Sequence, residues 1–364
     1  MDSVVDPLLP LFERERAAGR AMALGILVET AGSTYRKPGA MLLVAQGGEH
    51  AGLISGGCLE GDLAERARAV IATGRAALVT YDLRNSDDLL WGLGLGCEGA
   101  IYILVVRIGP LEGWQPLAHL AAALAARRPT AIGILTESHD EGLPVGALVL
   151  LQAPEGPRVL PPEAAALLEP RTLAALAAAP RARSVGWLQG PDGRWKLLLL
   201  PLALPPRLLL LGAGPDALPV VDFAGRMHWR ITVADHRPAY AVPSHFPLAE
   251  RVLLARPDEI ARSVDLDHFA AAVVMSHHLP SDLEYLRALS SSSLAYVGLL
   301  GPPARREKLL SELDPTEAQR LRTRLHAPVG LNLGGRTPEA IALAIVAEIH
   351  AFVHGVGQAR ADHE

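Results

Sequence analysis

The amino-acid sequence predicts an α/β protein of two domains: a mixed α/β amino-terminal domain over residues 1–204 and a Rossmann-like, doubly wound parallel-sheet domain over residues 205–364. Three observations support this prediction. At 364 residues and 50% hydrophobic content, the chain is long and apolar enough for two hydrophobic cores. The second half alternates short apolar runs with helical patterns, which is typical of a parallel sheet. The adjacent prolines in the segment LALPPR, residues 202–207, interrupt both helix and strand and indicate a linker.

Composition and charge narrow the classes of function. The net charge of -5, the isoelectric point near 6.2 and the 4% aromatic content argue against nucleic acid as a partner, because neutralising phosphates requires a basic surface. Residues 1–20 carry acidic side chains inside their apolar run, so they predict an amphipathic helix and not a signal peptide. No apolar stretch reaches the length of a membrane span, and two cysteines are too few for a disulfide framework. We therefore expect a cytoplasmic protein with free thiols and no membrane span.

The region after the first helix is predicted to be rich in β-structure. Its short apolar runs are separated by glycine turns, and Gly47 and Gly48 mark a hairpin tip. A helix over residues 59–74 ends at Gly74, a typical C-cap. The predicted strands of this region are 21–30, 40–45, 50–55, 76–83 and 100–107.

Residues 110–204 form a less defined segment rich in alanine, leucine and proline. Apolar runs predict strands at 131–137 and 145–151, an alanine-rich helix is predicted near 162–179, and a turn over 190–193 predicts a hairpin. We find no residues in this segment that indicate chemistry.

The second half predicts the parallel sheet directly. It contains short apolar runs, and helical patterns separate most of them. The last helix is long, apolar and begins at Pro338. The predicted strands are 207–214, 229–235, 251–255, 271–277, 294–301 and 325–331.

The first turn of this domain carries a dinucleotide-binding pattern, G-x-G-x-x-A, with its glycines at Gly212 and Gly214. The glycines permit a tight turn and close approach of a phosphate, and Asp235 ends the next strand, where a carboxylate would bind a ribose hydroxyl. The alternative is that the fold exists without the cofactor, since Asp216 places negative charge where a pyrophosphate would lie. Because Arg237 suits a 2′-phosphate, the pattern leaves NAD and NADP both open; Arg237 suits a solvated surface position equally.

Other polar residues fall at the carboxyl ends of later strands. His277 and His278 are candidates for an acid, a base or a metal ligand. The alternative is that Asp282 caps a helix and the histidines pack or face solvent, and no metal-binding spacing is visible. Arg305 and Arg306 suit a phosphate or a solvated helix face equally.

Three glycine-rich loops distinguish the first domain: residues 32–40, 55–60 and 91–99. Such runs of glycine indicate close backbone approach to a bound group. In the second loop, Cys58 comes just before a predicted helix, where the helix dipole favours a thiolate; it suits a nucleophile or a soft metal ligand, or equally a small buried side chain. The candidate binding residues are Ser33, Thr34, Arg36, Lys37, Gly56, Gly57 and Cys97.

The order of these motifs resembles a known family. The stretches GSTYRKPGAMLLV, GLISGGCLEGDL and WGLGLGCEGAIYILV, followed by YVGLLGPPARREKLL and LHAPVGLNLGGRTPEAIALAIVAEI, are similar to the XdhC/CoxI family of xanthine dehydrogenase accessory proteins. The resemblance implies a molybdenum-cofactor chaperone, not an enzyme. Such a chaperone binds a molybdopterin-type cofactor, protects it while a cysteine desulfurase supplies the sulfido ligand, and delivers it to a molybdenum hydroxylase such as xanthine dehydrogenase. The family's signature cysteine falls on Cys58 and its first loop on residues 32–40.

The sequence departs from the family pattern at Tyr35, Glu98 and Pro215, where the family usually has proline, glycine and histidine. Two rival functions stay open: an NAD(P)-dependent oxidoreductase that uses His277 or His278, and a docking scaffold without bound pterin. We also expect a homodimer, since the final helix could form a dimer face, although it could equally be a core element.

Overall fold

The computed structural model describes residues 5–57, 59–82, 99–152, 156–167, 176, 185–190 and 193–356. The chain folds into two compact units, Met1–Leu204 and Pro205–Glu364. Among the described residues, no helix has the length and apolarity to cross a membrane.

The first sheet of the first unit is antiparallel, with five strands in the order β3-β2-β1-β5-β4. Its strands are β1 (Met22–Gly32), β2 (Met41–Ala45), β3 (His50–Gly52), β4 (Ala77–Asp82) and β5 (Gly99–Ile108). Strand β3 is shorter than the predicted 50–55, because Gly52 adopts a left-handed φ of +94° that ends the extended chain. A Cβ at Gly52 would also lie 2.3 Å from the Met41 carbonyl oxygen.

Both faces of this sheet are covered. The helices of the unit are α1 (Leu9–Ala17), α2 (Glu60–Thr73) and α3 (Leu117–Ala126), with a 3₁₀ turn at Asp6–Leu8. Leu63 and Val70 of α2 pack on one face of the sheet, while α1 and α3 pack on the other. The predicted C-cap is confirmed, since Gly74 has a φ of +73° and its amide donates to the Val70 carbonyl.

The segment 110–204 forms a second antiparallel sheet, in the order β8-β7-β6-β10-β9. Its strands are β6 (Thr130–Ser138), β7 (Leu148–Gln152), β8 (Gly156–Leu160), β9 (Gly186–Gln189) and β10 (Trp195–Pro201). Leu198 and Leu200 share a core with the first sheet, whereas Leu197 packs on the opposite face. The hairpin between β9 and β10 is confirmed. Pro162–Leu167 is a 3₁₀ helix, and most of the predicted helix 162–179 lies outside the described residues.

The second unit contains the predicted parallel sheet, which is confirmed. Its six strands have the order β13-β12-β11-β14-β15-β16, and the chain reverses direction of winding between β11 and β14. The strands are β11 (Arg207–Leu211), β12 (Arg230–Asp235), β13 (Arg251–Leu254), β14 (Ala271–Val274), β15 (Val297–Leu299) and β16 (Leu325–His326). All six are shorter than predicted, and in β11 the difference arises because Gly212 belongs to the turn at the carboxyl end of the strand.

Helices cover both faces of the parallel sheet. They are α4 (Ala217–Arg226), α5 (Ile260–Ser263), α6 (Leu279–Ser290), α7 (Pro303–Glu312), α8 (Pro315–Arg322) and α9 (Pro338–Val353), with 3₁₀ turns at Pro243–His245, Pro257–Glu259 and Leu266–His268. Leu208 and Leu210 share a core with α4 and α9, whereas Leu209 and Leu211 share one with α6, α7 and α8. The final helix α9 is therefore a core element of its own unit, and a homodimer stays a prediction.

Candidate functional site

The first glycine loop meets Gly99, the last residue of the third, at one end of the first sheet. The first loop leaves β1 after Gly32, and Gly32 lies opposite Gly99, where the third loop enters β5. A Cβ at Gly99 would lie 2.4 Å from the carbonyl oxygen of Ser33, so only glycine allows this contact. The remainder of the third loop, including Cys97, lies outside the described residues.

The second loop follows strand β3 and approaches the first loop. Strands β3 and β1 are both antiparallel to β2 and so run in the same direction, and Gly52 at the end of β3 lies level with Gly25 of β1, across Leu42 of β2. The Tyr35 ring of the first loop lies 3.8 Å from the position that a Cβ would take at Gly56. Cys58 itself lies outside the described residues. Within the described part of the chain, the first loop thus lies beside Gly56 of the second loop and Gly99 of the third.

Glu60, which was not predicted from the sequence as a site residue, organises the second loop. Its side-chain oxygens accept hydrogen bonds from the Ser55 hydroxyl at 2.5 Å and from four backbone amides. Glu60 is only 4% exposed. The amide donors are Ile54 at 3.1 Å, Ser55 at 2.8 Å, Gly57 at 3.0 Å and Leu59 at 3.2 Å.

This network keeps Glu60 ionised. Burial alone would raise the pKa of its carboxyl group, but the hydrogen bonds from Ser55 and the amides outweigh burial and lower it. The amides at the start of α2, including that of Gly57, therefore face a protein carboxylate instead of an external anion. The sequence signal for this role was an acidic residue at the start of a helix, directly after a glycine turn whose amides need an acceptor.

The cations of the first loop have no such partner among the described residues. Arg36 and Lys37 are exposed, and neither side chain forms an ion pair with any residue that the structure describes. The Arg36 guanidinium carbon lies 5.6 Å from the centre of the Tyr35 ring, in a cation–π contact. The Thr34 hydroxyl donates to the Arg36 carbonyl at 3.0 Å and so fixes the turn, while Ser33 is exposed.

A cavity of about 310 Å³ lies beside this loop. One wall is the first loop from Tyr35 to Met41, and the other comes from the second sheet, including Val185 and Leu200. Gly39, with a φ of +99°, fits closely against this second wall. A cavity with apolar walls and two exposed cations at its rim suits a partly apolar ring that carries an anionic group. The segment to which the sequence assigned no chemistry thus forms half of the cavity.

A larger cavity, of about 660 Å³, lies at the opposite end of β5 and contains none of the predicted site residues. Its Arg107 is paired with Glu112 at 2.6 Å, so this cation is already neutralised. The smaller cavity is the better candidate, because it is lined by the predicted site residues Arg36 and Lys37, which form no ion pair within the described part of the chain.

In the second unit, the fingerprint turn is held by contacts within the protein. Gly212 has a φ of +126°, and a Cβ there would lie 2.5 Å from the Met275 carbonyl oxygen. The close approach that demands this glycine is therefore to the end of β14. A Cβ at Gly214 would meet no described atom within 4 Å.

Asp235 is 1% exposed, and its hydrogen bonds come from neighbouring residues of the protein. The Ala213 amide donates to Oδ2 at 2.8 Å, and Arg237 donates its amide and Nε to Oδ1 and its Nη2 to Oδ2. Burial alone would raise the pKa of this carboxyl group, but the hydrogen bonds from Arg237 and Ala213 lower it.

The other predicted residues of this edge are paired as well. His277 Nε2 lies 2.9 Å from Asp216 Oδ2, and His278 Nδ1 lies 2.9 Å from the Ser281 hydroxyl. The suggestion that Asp282 caps α6 is wrong: its side chain is fully buried and accepts hydrogen bonds from Ser276 and Arg305. Arg306 pairs with Glu307 at 2.6 Å.

Comparison with known proteins identifies the family. The model of the XdhC and CoxI family matches residues 15–82, and that of the XdhC Rossmann domain matches residues 208–349. A Bacillus subtilis (strain 168) protein, named as a probable subunit of xanthine dehydrogenase, is 33% identical over 331 residues, which are 90% of this chain and 91% of that protein. The chain belongs to the XdhC and CoxI family. The matched ranges of this XdhC/CoxI protein include the first two glycine loops and the parallel sheet.

Two further similarities span most of the XdhC/CoxI chain. The molybdenum cofactor insertion chaperone PaoD of Escherichia coli (strain K12) is 23% identical over 91% of this chain and 83% of its own length. A crystal structure described as a xanthine dehydrogenase from Bacillus halodurans superposes with a TM-score of 0.76 and 26% identity, covering 100% of this chain and 98% of that one. The fold of both units is therefore shared with a solved structure.

Proposed function

We propose that this XdhC/CoxI protein is an accessory protein that binds molybdenum cofactor at the glycine-loop end of its first unit. It supports sulfuration of the cofactor and delivers it to xanthine dehydrogenase or a related molybdenum hydroxylase. The observation that carries the proposal is the pair of exposed cations on the first glycine loop, Arg36 and Lys37, at the rim of a cavity with apolar walls. The names of the Bacillus subtilis and Escherichia coli relatives support it.

The residues of the loops have distinct parts in this proposal. The cofactor is cargo, and it brings an anionic phosphate, a pterin ring and a metal that accepts sulfur. Arg36 and Lys37 hold the phosphate, Ser33 and Thr34 provide hydroxyl groups beside them, and the apolar wall packs against the ring. Cys58 meets the molybdenum or the incoming sulfur, a role that suits a soft thiolate. A cysteine desulfurase supplies that sulfur.

The exposure of the cations suits a protein that must release its cargo. Contacts between exposed charges are weakened by salt and by competition with water. Arg36 and Lys37 can therefore hold a phosphate without trapping it, whereas a fully buried pair would hold it more permanently. The hydrogen bonds to the buried Glu60 fix the second loop while the cofactor binds and dissociates.

Replacing Arg36 or Lys37 with alanine is expected to lower bound pterin by about tenfold, because each charged hydrogen bond contributes roughly 1.5–3 kcal/mol. The protein is purified from a host that makes molybdenum cofactor, oxidised, and assayed for pterin fluorescence per chain. Arg75→Ala is the matched control, since Arg75 lines the cavity at the other end of β5. Equal pterin in all three variants and the wild type would contradict the site.

Cys58→Ser tests the thiol separately from the cations. We expect the variant to lose retention or sulfuration of the cofactor, because a serine hydroxyl is a poor ligand for soft metals and a poor acceptor of sulfur. The measurement is the activity that the loaded accessory protein restores to a cofactor-free molybdenum hydroxylase, with pterin content recorded in parallel. A Cys58→Ser protein as active as the wild type would exclude this role.

The two rival functions give different results in the same preparation. A docking scaffold would form a complex with the hydroxylase but carry no pterin. An NAD(P)-dependent oxidoreductase would bind nicotinamide cofactor and turn over a carbonyl substrate, using His277 or His278. Within the described structure, His277 lies 2.9 Å from Asp216 and His278 lies 2.9 Å from Ser281, so each imidazole has a polar partner in the protein.

A further inference from the structure

We propose that the Rossmann unit of this protein does not bind a nicotinamide dinucleotide, because side chains of the protein fill the positions that the cofactor's polar groups require. The fold by itself provides a crevice at the carboxyl edge of the sheet, between the neighbouring strands β11 and β14, where the strand order reverses. Three positions in that crevice decide whether NAD or NADP fits: the pyrophosphate, the ribose and the 2′-phosphate.

The pyrophosphate position is unfavourable for an anion. Asp216 is the residue directly before α4, so its negative charge lies at the amino-terminus of that helix. Its carboxylate lies 2.9 Å from His277 Nε2. A pyrophosphate would have to displace this ion pair and then lie next to the carboxylate. His277 has a backbone φ of +59°, a left-handed conformation that is uncommon for a residue other than glycine.

The amides of the turn are also largely unavailable. Gly212 donates to the Ala234 carbonyl, Ala213 donates to Asp235, and Ala217 donates to the Gly214 carbonyl. Pro215 has no N–H to donate. Only Gly214 and Asp216, of the described residues 212–217, are left as possible amide donors, whereas a phosphate-binding turn relies on several.

The ribose and 2′-phosphate positions are closed in the same way. The two oxygens of Asp235 accept four hydrogen bonds, from Ala213 and Arg237, and the residue is 1% exposed. A carboxylate has about four acceptor sites, so none is left for a ribose hydroxyl. The guanidinium of Arg237 is neutralised by the same carboxylate and lies 4.1 Å from the centre of the Tyr240 ring, so it is not a free cation for a 2′-phosphate.

The full-length protein tests this directly by titration with NADH and NADPH, followed by nucleotide fluorescence. We expect no saturable binding up to about 1 mM. Saturable binding of one nucleotide per chain with a micromolar dissociation constant would overturn the proposal. The pterin assay reports on the first unit. If the titration shows nucleotide binding to the second unit, the proposed chaperone function is therefore unaffected.

A second measurement separates a structural Asp235 from a ligand-binding one. If Asp235 holds the turn together, Asp235→Asn lowers the unfolding temperature of the nucleotide-free protein by several degrees, since the amide group cannot accept all four hydrogen bonds. Asp222→Asn is the matched control, because Asp222 is an exposed aspartate on α4; we expect this variant to leave the unfolding temperature unchanged. Equal unfolding temperatures for the two variants would contradict the proposal, because an unloaded ligand site can lose its carboxylate without cost to stability.

Discussion

Glu60→Ala is expected to lower the free energy of unfolding of the first unit by about 3 kcal/mol and to abolish retention of pterin. The substitution removes the acceptor for four buried or half-buried amides and for the Ser55 hydroxyl, and alanine offers no replacement. Without that acceptor, Gly56 and Gly57 lose their fixed left-handed conformations, and the second loop no longer faces the first. Urea unfolding and the pterin assay measure the two effects.

Glu65→Ala provides the control for Glu60, because Glu65 lies on the same helix with its side chain 66% exposed and pairs only with Arg68 among the described residues. We expect the free energy of unfolding of the Glu65→Ala protein to stay within about 0.5 kcal/mol of the wild-type value. A Glu60→Ala protein that matched this control in both stability and pterin content would contradict the role given to Glu60.

The pH dependence of the Glu60 contribution has a definite sign. The pKa of this carboxyl group is lower in the folded than in the unfolded protein. Its stabilisation is therefore complete above the unfolded value of about 4.3 and is lost as the pH falls through the folded value. In the wild type, stability should decline in this acidic range more steeply than in Glu60→Ala, as measured by urea unfolding at a series of pH values.

Glu348→Ala is expected to lower the free energy of unfolding of the second unit by about 4 kcal/mol. Glu348 is 8% exposed on α9 and accepts hydrogen bonds from Tyr296 at 2.9 Å and from the Gly330 amide at 2.6 Å, while His326 Nδ1 lies 2.8 Å from it. Removing the carboxylate leaves these polar groups buried without their partner. The loss is measured by chemical unfolding with the second unit's transition resolved.

Glu339→Ala is the control for Glu348, since Glu339 lies in the first turn of the same helix and is exposed. Net charge changes equally in both variants. Burial alone would raise the pKa of Glu348, but the hydrogen bond with His326 and those from Gly330 and Tyr296 lower it, so its contribution also disappears on acidification. Similar stabilities for the two variants would show that the buried network contributes nothing.

The elements that the sequence predicted well are those with a strong local period. The parallel strands of the second unit read as short apolar runs, because both faces of such a sheet are buried and no alternation interrupts them. The end of α2 was equally clear, since Gly74 takes the left-handed conformation that glycine favours. In contrast, β8 was not predicted, because Gly156–Leu160 contains a glycine, a proline and an arginine and so shows little of the pattern of a strand.

The candidate site was predicted in its parts and not in its assembly. The sequence indicated the three loops, the cations at Arg36 and Lys37, and Cys58. It could not show that Val185 and Leu200 would form the facing wall, since these residues carry no chemical signal of their own. It also missed Glu60, because an acidic residue in a first helical turn is usually a solvated neighbour of the helix dipole.

The sequence by itself determined which residue types were present, where glycine freed the backbone, and the order of the strands along the chain. Only the tertiary structure decided which charges were free. Asp235 and Arg237 are a plausible cofactor pair in sequence, yet in space they bind each other, whereas Arg36 and Lys37 form no ion pair in the described chain. The physical reason is that the availability of a charged group depends on its nearest opposite charges and donors, and folding brings these together across any distance in the chain.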